Sequence, residues 1–297
     1  MHNLLEEYLN TRLGGREDKT ERFLCLFERF ESVAVLLLRA ILAELEQSSF
    51  VPADFELPIG TGDGGDGIES LHLPLPDGGS VEIFGKVDRV DVMETEQETF
   101  VRVIDYKTGI KKFALSEVLS GINMQMLIYL ITIWKNGGSR YAAEPGAVVP
   151  AGVLYMPARS PKIEGVRNEE EQDAAQRRLA AMCMSGIVLD DARVIGGMEP
   201  DAKGTFIPVR YRKDGTPDAR SQVISLARLG RLSQKIEKLV CNMGTELHNG
   251  RVAAAPVEKA CDWCSFSTVC GRNEDALPLE LPSLSNQQVF ELLDRED

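Results

Sequence analysis

Apolar residues recur at intervals of three and four along a long stretch of the chain from Thr20 to Gln47, which is the spacing of one helix face. Thr20 stands where an N-cap is expected. A second long helix is predicted from Ser221 to Gly250. Shorter ones are predicted over His2–Leu13, Leu115–Trp134 and Arg167–Met184, with a weakly helical tail from Asn286 to Leu293.

Between these helices the pattern changes to short apolar or alternating runs bounded by glycine and proline, which is typical of strands. The runs cover Phe50–Leu57, Leu71–Leu75, Ser80–Val92, Thr99–Lys107, Ala151–Met156 and Phe206–Tyr211. Helices come first, then a series of antiparallel strands, then a crossover helix leading to a further strand. This order predicts an α/β fold with a mixed central β-sheet flanked by helices.

Composition narrows the class of protein. The 297 residues are 43% hydrophobic and 27% charged, which is ordinary for a globular protein, and no apolar run reaches the length of a membrane span. The first residues lack the pattern of a signal peptide, so we expect a cytoplasmic protein with no membrane partner. In the cytoplasm six cysteines are expected to be free or metal-bound. The net charge of −13 argues against a broad nucleic-acid surface, unless the basic surface is local or a partner supplies it.

The candidate chemistry lies on the hairpin of the third and fourth predicted strands. Asp105 and Lys107 are two residues apart, so their side chains leave the same face of a strand. If the turn is centred between Glu96 and Gln97, Asp88 is opposite Asp105. Opposed side chains have Cβ atoms about 4.5–5.5 Å apart. Two carboxylates at that distance suit one hard cation such as Mg²⁺.

Apolar neighbours on the same face give this pair a dry setting, namely Val90, Val101 and Val103. A cation would be needed there to neutralise two facing carboxylates. A bound metal would activate water, and Lys107 would stabilise the developing charge or orient that water. The alternative is a surface ion pair of Asp105 with Lys107 and a solvated Asp88. Asp91 falls on the opposite face beside Arg89, so we expect an ion pair between them.

Gln125 and Tyr129 are one helical turn apart and share a helix face. They either sit over the carboxylates and contact a nucleic-acid backbone, or serve as a core tyrosine and a capping glutamine. A cysteine cluster follows the last long helix, with Cys261, Cys264 and Cys270 in a C-x2-C-x5-C pattern. Three thiols this close indicate a metal or iron–sulfur site. Zinc with a fourth ligand, for which His248 is nearest, is an alternative.

These residues resemble the RecB-type nucleases of the PD-(D/E)xK superfamily, whose motifs are Gly-x-x-Asp, Asp-x-Lys and Gln-x-x-x-Tyr. The chain has Gly85-x-x-Asp88, Asp105-x-Lys107 and Gln125-x-x-x-Tyr129. The family also carries His-x-x-Leu-Glu early in its first helix, which matches His2-Asn3-Leu4-Leu5-Glu6. The resemblance implies that His2, Asp88 and Asp105 bind Mg²⁺ and that Lys107, Gln125 and Tyr129 complete the catalytic set.

Within that family the chain resembles the nuclease domains of AddB-type proteins, which work beside an AddA-like helicase–nuclease. This implies hydrolysis of DNA, of the strand ending 5′, during processing of double-strand breaks for recombinational repair. It also implies a [4Fe–4S] cluster held by Cys261, Cys264, Cys270 and a fourth cysteine upstream of His2. We therefore expect one nuclease domain over 1–297 from a longer helicase-like protein. Its parts are N-terminal helices (1–48), a catalytic core (50–156), an insertion and long helix (157–250), the cysteine cluster (258–272) and a tail (277–297).

Two other functions fit the same motifs. One is a non-catalytic DNA-binding or assembly domain stapled by the iron–sulfur cluster, which would bind DNA or its partner without metal-dependent hydrolysis. The other is a free-standing exonuclease similar to Cas4. The long insertion between the Gln125/Tyr129 helix and the cysteines fits that second alternative less well.

Overall fold

The computed structural model describes residues 1–60, 66–109, 112–142, 146–162, 170–271 and 277–295. The helices are α1 (His2–Arg12), α2 (Glu21–Leu45), α3 (Leu115–Leu119), α4 (Gln125–Asn136), α5 (Gly138–Tyr141), α6 (Glu171–Ala180), α7 (Ala192–Met198), α8 (Leu226–His248) and α9 (Asn286–Arg295). The strands are β1 (Val51–Ile59), β2 (His72–Pro74), β3 (Ser80–Glu82), β4 (Gly85–Glu94), β5 (Glu98–Lys107), β6 (Ala147–Pro157), β7 (Ser185–Leu189) and β8 (Val223–Ile224). A 3₁₀ turn covers Ala260–Trp263.

Six strands form one mixed sheet in the order β1-β4-β5-β6-β7-β8. β4 and β5 form an antiparallel hairpin, β6 runs parallel to β5, β7 antiparallel to β6, and β8 parallel to β7. The parallel pairing of β5 with β6 requires a crossover, and the connection between them carries α3, α4 and α5. The mixed sheet with helices confirms the predicted fold class.

The chain divides into two compact units, each assembled from three separate segments. The first unit holds Met1–Glu56, Val87–Lys112 and Tyr141–Ile224; the second holds Leu57–Lys86, Phe113–Arg140 and Ser225–Asp297. The core of the first unit is built on β4, β5, β6 and β7, where Phe100, Ile104, Leu154 and Val188 are fully buried. Helix α7 contributes to the same core through the buried side chains of Val194, Ile195 and Met198.

In the second unit, β2 and β3 form a separate two-stranded sheet that contacts α8. Helix α8 also contacts α3, α4 and α9. Ser225 caps α8 by accepting from the Arg228 N–H, and the buried residues Leu229, Leu232 and Ile236 recur along one face. This long amphipathic helix is therefore the element on which the second unit is packed.

Two predicted elements are each divided in the structure. The prediction of one strand over Ser80–Val92 is wrong, because β3 and β4 belong to different sheets and the chain leaves the first at Ile83. The prediction of one helix over Leu115–Trp134 is also wrong. It is broken into α3 and α4 by a turn in which Gly121 and Asn123 have φ angles of 80° and 56°. These left-handed conformations interrupt a helix.

The predicted strand over Phe206–Tyr211 does not form, although Ile207 and Val209 are buried. The buried carboxylate of Glu199 accepts hydrogen bonds from the backbone N–H groups of Lys203, Thr205, Phe206 and Ile207. Because the N–H groups of Phe206 and Ile207 are used by this carboxylate, these two residues cannot donate to a neighbouring strand. The helix predicted over Arg167–Met184 is confirmed only as α6, and its first residues lie outside the described ranges.

Other elements were not anticipated. β7 and α7 follow α6 within the first unit, between Met184 and Phe206, where no regular structure was predicted. β8 takes the place of the first residues of the helix predicted over Ser221–Gly250, which begins only at Leu226 as α8. None of the helices in the described ranges is long and apolar enough to cross a membrane.

Candidate active site

The hairpin register is the one expected from the turn. Six opposed pairs run from Arg89 with Ile104 to Glu94 with Thr99. In every pair the two positions have the same sum, so the next position places Asp88 opposite Asp105. Val90 pairs with Val103, and Val92 with Val101. The predicted register is thus confirmed, and the two carboxylates occupy the first position beyond the paired ladder.

The Asp105 carboxylate is almost fully buried and contacts Lys107 on the same strand face. Lys107 Nζ lies 2.6 Å from Asp105 Oδ2, with 34% of the lysine side chain and 10% of the aspartate side chain exposed. The apolar neighbours on that face, Val90, Val101 and Val103, have no exposed surface. An ion pair in this setting is weakly screened and keeps the ammonium group at one edge of a dry surface.

Asp88 is held by the backbone of the opposite strand. Its Oδ2 accepts a hydrogen bond of 3.0 Å from the Tyr106 N–H. Tyr106 stands between Asp105 and Lys107, so a single residue links the two sides of the site. Sequence reasoning missed this contact, because no side-chain pattern reports a hydrogen bond to a backbone amide.

Tyr155 on β6 is a second contribution that the motifs did not indicate. It pairs with Asp105 across the parallel ladder and is 4% exposed. Lys107 Nζ lies 5.8 Å from the centre of its ring. A cation at this distance is attracted by the ring face, so Tyr155 and Asp105 together restrict the position of the ammonium group.

The opposite face of the hairpin carries a buried ion pair rather than a second site. Arg89 donates to Asp91 through Nε and Nη2, each at 2.6 Å. This confirms the expected pairing of Asp91 with Arg89. The structure adds two partners that the sequence did not reveal, Arg102 on β5 and Glu44 on α2.

His2 begins α1, and its Nδ1 lies 2.6 Å from Glu31 Oε1 on α2. Among the described residues no three histidine, cysteine or acidic side chains gather as metal ligands. The assignment of His2 as a metal ligand therefore stays a prediction. Asp88 and Asp105 by themselves fit Mg²⁺, which is bound in proteins by one or two carboxylates and completes its shell with water and substrate phosphates.

Gln125 and Tyr129 lie in the second unit, at the start of α4. Gln125 Nε2 donates to Tyr129 Oη at 3.0 Å, and Tyr129 is 7% exposed. The Tyr129 ring packs directly against Gly85. A Cβ added at Gly85 would contact Tyr129 Oη and lie 2.7 Å from Tyr129 Cε1. Glycine is thus required by the approach of the tyrosine, which ties two of the sequence motifs together. Their action on a nucleic-acid strand stays a prediction.

The side chains of the three clustered cysteines, Cys261, Cys264 and Cys270, are exposed. They are soft ligands of the kind that an iron–sulfur cluster requires, but among the described residues neither these three nor any other three such side chains are gathered as metal ligands. The zinc alternative is not supported by His248, whose Nδ1 lies 3.6 Å from Asp77 Oδ2. Cys25, on α2, has an exposed side chain and does not belong to the core. The cluster stays a prediction.

Comparison with known protein families identifies the family of this chain. The sequence matches the PD-(D/E)XK nuclease superfamily over residues 1–271, which is nearly the whole chain. The chain belongs to this superfamily of nucleases. Asp105-x-Lys107 on β5 has the spacing of the (D/E)XK part of the superfamily's name, and Asp88 lies opposite Asp105 on β4.

Curated relatives of this PD-(D/E)XK protein share one description, the B-type subunit of an ATP-dependent helicase/deoxyribonuclease. The chain is 30% identical over 273 residues to the protein of this description from Acetivibrio thermocellus, covering 90% of this chain and 23% of that protein. It is 35% identical over 250 residues to the one from Desulforudis audaxviator, covering 82% and 21%. A Bacillus cereus protein of the same description is 34% identical over 259 residues, covering 85% and 21%. The chain thus spans about a fifth of the length of these relatives.

Proposed function

We propose that this chain is a metal-dependent DNA nuclease domain that hydrolyses phosphodiester bonds. The observation that carries the proposal is that Asp88, on β4, and Asp105 and Lys107, on β5, share one face of the hairpin. The superfamily match and the names of the relatives support DNA as the substrate. Asp88 and Asp105 would hold Mg²⁺, and His2 is proposed as a further ligand.

Hydrolysis forms a bond between a water oxygen and phosphorus and breaks the bond from phosphorus to a sugar oxygen, which takes a proton. Bound Mg²⁺ would supply Lewis-acid polarisation of a phosphate oxygen and a lower pKa for water. Lys107 would donate hydrogen bonds to the phosphate oxygen on which charge develops, or hold the attacking water. Its contacts with Asp105 and Tyr155 orient the Lys107 side chain before substrate arrives.

We propose that the protein acts in double-strand break processing as part of a helicase–nuclease. The relatives are named as one subunit of an ATP-dependent helicase/deoxyribonuclease, which supports an AddA-like partner protein. Cutting of the strand ending 5′ and a [4Fe–4S] cluster on Cys261, Cys264 and Cys270 belong to the same proposal. Gln125 and Tyr129 would position the DNA strand.

The first prediction tests the nuclease proposal with Lys107→Ala in the full chain. Cleavage of single-stranded DNA labelled at either end is followed in Mg²⁺ and in excess chelator. Loss of a donor to the developing charge lowers kcat by about 10²–10³. Lys203→Ala is the control, because that exposed lysine pairs with Asp201 and its loss changes the net charge equally. Unchanged cleavage by Lys107→Ala overturns the catalytic role.

The same assay separates the alternatives. A wild-type chain that binds DNA but does not cleave it in Mg²⁺ would support the non-catalytic DNA-binding domain. The label that is released first reports which end is attacked, and an unreleased label with internal fragments would contradict exonuclease action. Circular dichroism of each variant checks that the fold is kept.

A further inference from the structure

Four charged side chains are buried together behind the candidate site. Glu44 on α2, Arg89 and Asp91 on β4 and Arg102 on β5 have side-chain exposures of 0% or 1%. Two guanidinium groups and two carboxylates cancel in charge. A buried group of this kind persists only when each ion is paired, because isolated ions are costly to remove from water.

Asp91 is the centre of the group. It accepts from Arg89 through two bonds of 2.6 Å and from Arg102 Nε at 2.9 Å. Glu44 accepts from Arg102 Nη2 at 2.7 Å, and its second oxygen lies 3.7 Å from Arg89 Nη2. These contacts fix the position and orientation of the Arg89 guanidinium group.

Arg89 also reaches the residue that joins the two sides of the site. Its Nη1 donates to Tyr106 Oη at 3.5 Å, while the Tyr106 N–H donates to Asp88 Oδ2 at 3.0 Å. Asp88 and Arg89 are neighbours in sequence, so these contacts close a ring through Asp88, Arg89 and Tyr106. The ring passes from the back face of the sheet to the front.

The ring lies where the strands need an additional constraint. Paired positions of β4 and β5 extend to Arg89 with Ile104, and Asp88 and Asp105 come one residue later. Two facing carboxylates repel one another when no cation lies between them. At this end of the described β4–β5 ladder, the bond from the Tyr106 N–H to Asp88 joins the two strands against that repulsion.

We propose that Arg89 is a positioning residue for the metal-binding carboxylates, acting from the back of the sheet through Tyr106 on Asp88. The inference rests on the proposed function for its link to metal, and on the ring of contacts for its structural part. Arg89 lies on the sheet face opposite to the one that carries Asp88 and Asp105. It sets the orientation in which Asp88 meets the cation, as partners behind a metal ligand commonly do.

The second prediction compares Arg89→Met with Arg102→Met, which removes an equally buried guanidinium from the same group but has no contact with Tyr106 in the described hydrogen bonds. Hydrogen exchange at the Tyr106 amide is measured without metal, and Mg²⁺ dependence is measured in the cleavage assay. We expect Arg89→Met to speed exchange at that amide about tenfold more than Arg102→Met does. We expect the Mg²⁺ concentration for half-maximal cleavage to rise about tenfold or more, with KM for DNA unchanged.

Two further variants keep the test decisive if Arg89→Met does not fold. Arg89→Lys keeps the positive charge but loses the two-pronged guanidinium group, and Tyr106→Phe removes only the hydroxyl. Both variants should speed amide exchange at Tyr106 and raise the Mg²⁺ requirement, as Arg89→Met does, but by a smaller factor. Equal exchange at Tyr106 in the Arg89 and Arg102 variants overturns the inference, whatever the activity. Absence of Mg²⁺-dependent cleavage by the wild type overturns the proposed function instead, and the exchange result still decides whether Arg89 acts through Tyr106.

Discussion

Replacing Glu44 with leucine should destabilise the protein more than any surface change on the same helix. The Glu44 side chain is fully buried and is the only contribution of α2 to the described charge group behind the hairpin. Its loss leaves two guanidinium groups against the single carboxylate of Asp91, a net charge of about +1 in a dry interior.

The magnitude follows from two effects. The charge-assisted hydrogen bond from Arg102, at 2.7 Å, contributes about 1.5–3 kcal/mol. Leaving an uncompensated buried charge brings the total cost to about 3–5 kcal/mol, even though the leucine itself is apolar. This is a large part of the roughly 5–15 kcal/mol by which domains are stable.

Urea unfolding followed by circular dichroism measures the free energy of unfolding of Glu44→Leu and of the control Glu46→Leu. Glu46 is the exposed C-cap residue of the same helix, and its replacement should change stability by about 0.5 kcal/mol or less. Adding Arg102→Met to Glu44→Leu restores neutrality, because Arg89 and Asp91 remain as a pair. The double variant should then be about 2 kcal/mol more stable than the sum of the single costs. A cost below about 1 kcal/mol for Glu44→Leu, or strict additivity, would refute the reasoning.

Two further predictions concern single sites. Gly85→Ala should lower the free energy of unfolding, measured by thermal unfolding, by about 1–3 kcal/mol, because the added methyl meets the Tyr129 ring. The control Gly230→Ala on α8, where a Cβ meets open space, should raise it by about 0.5–1 kcal/mol. Similar effects at both positions would contradict the close approach of Tyr129 to Gly85. Burial raises the pKa of the Cys183 thiol to about 12, so at pH 8 iodoacetamide should label it at least about 100-fold more slowly than the exposed Cys25, as followed by mass spectrometry. Raising the pH to 10 should leave Cys183 mostly protonated, and equal labelling rates would contradict this. The thiol ionises more readily in the unfolded chain, so the free energy of unfolding falls as the pH rises from about 9 towards 12.

The strand face that carries the candidate site could be read from the sequence because its geometry is local. A period of two places Asp105 and Lys107 on one face, and a short turn fixes which residue of β4 is opposite them. Both the register and the ion pair of Asp91 with Arg89 follow from neighbours in the chain. Glu44 could not be found in this way, since it reaches the hairpin from 58 residues before Arg102.

Errors in the predicted elements have a common physical origin. Apolar alternation over Phe206–Tyr211 reports burial, but it does not report that the Glu199 carboxylate takes the backbone N–H groups. The helix predicted over Leu115–Trp134 had the right apolar spacing on both sides of its break. What the spacing could not show was a left-handed turn at Gly121 and Asn123. In both regions the apolar spacing reports burial correctly but carries no information on the backbone conformation.

The interleaving of the two units has a consequence for synthesis on the ribosome. The first unit has all of its segments once Ile224 has been made, whereas the second still lacks α8 at that moment. β2 and β3 are synthesised early, but the helix that they contact comes more than a hundred residues later. We expect nascent chains to bury the hairpin of Asp88 and Asp105 first. β2, β3, α3 and α4 would stay unpacked until α8 has been synthesised. A chain that stops within α8 would keep every segment of the first unit while its second unit has lost its packing partner.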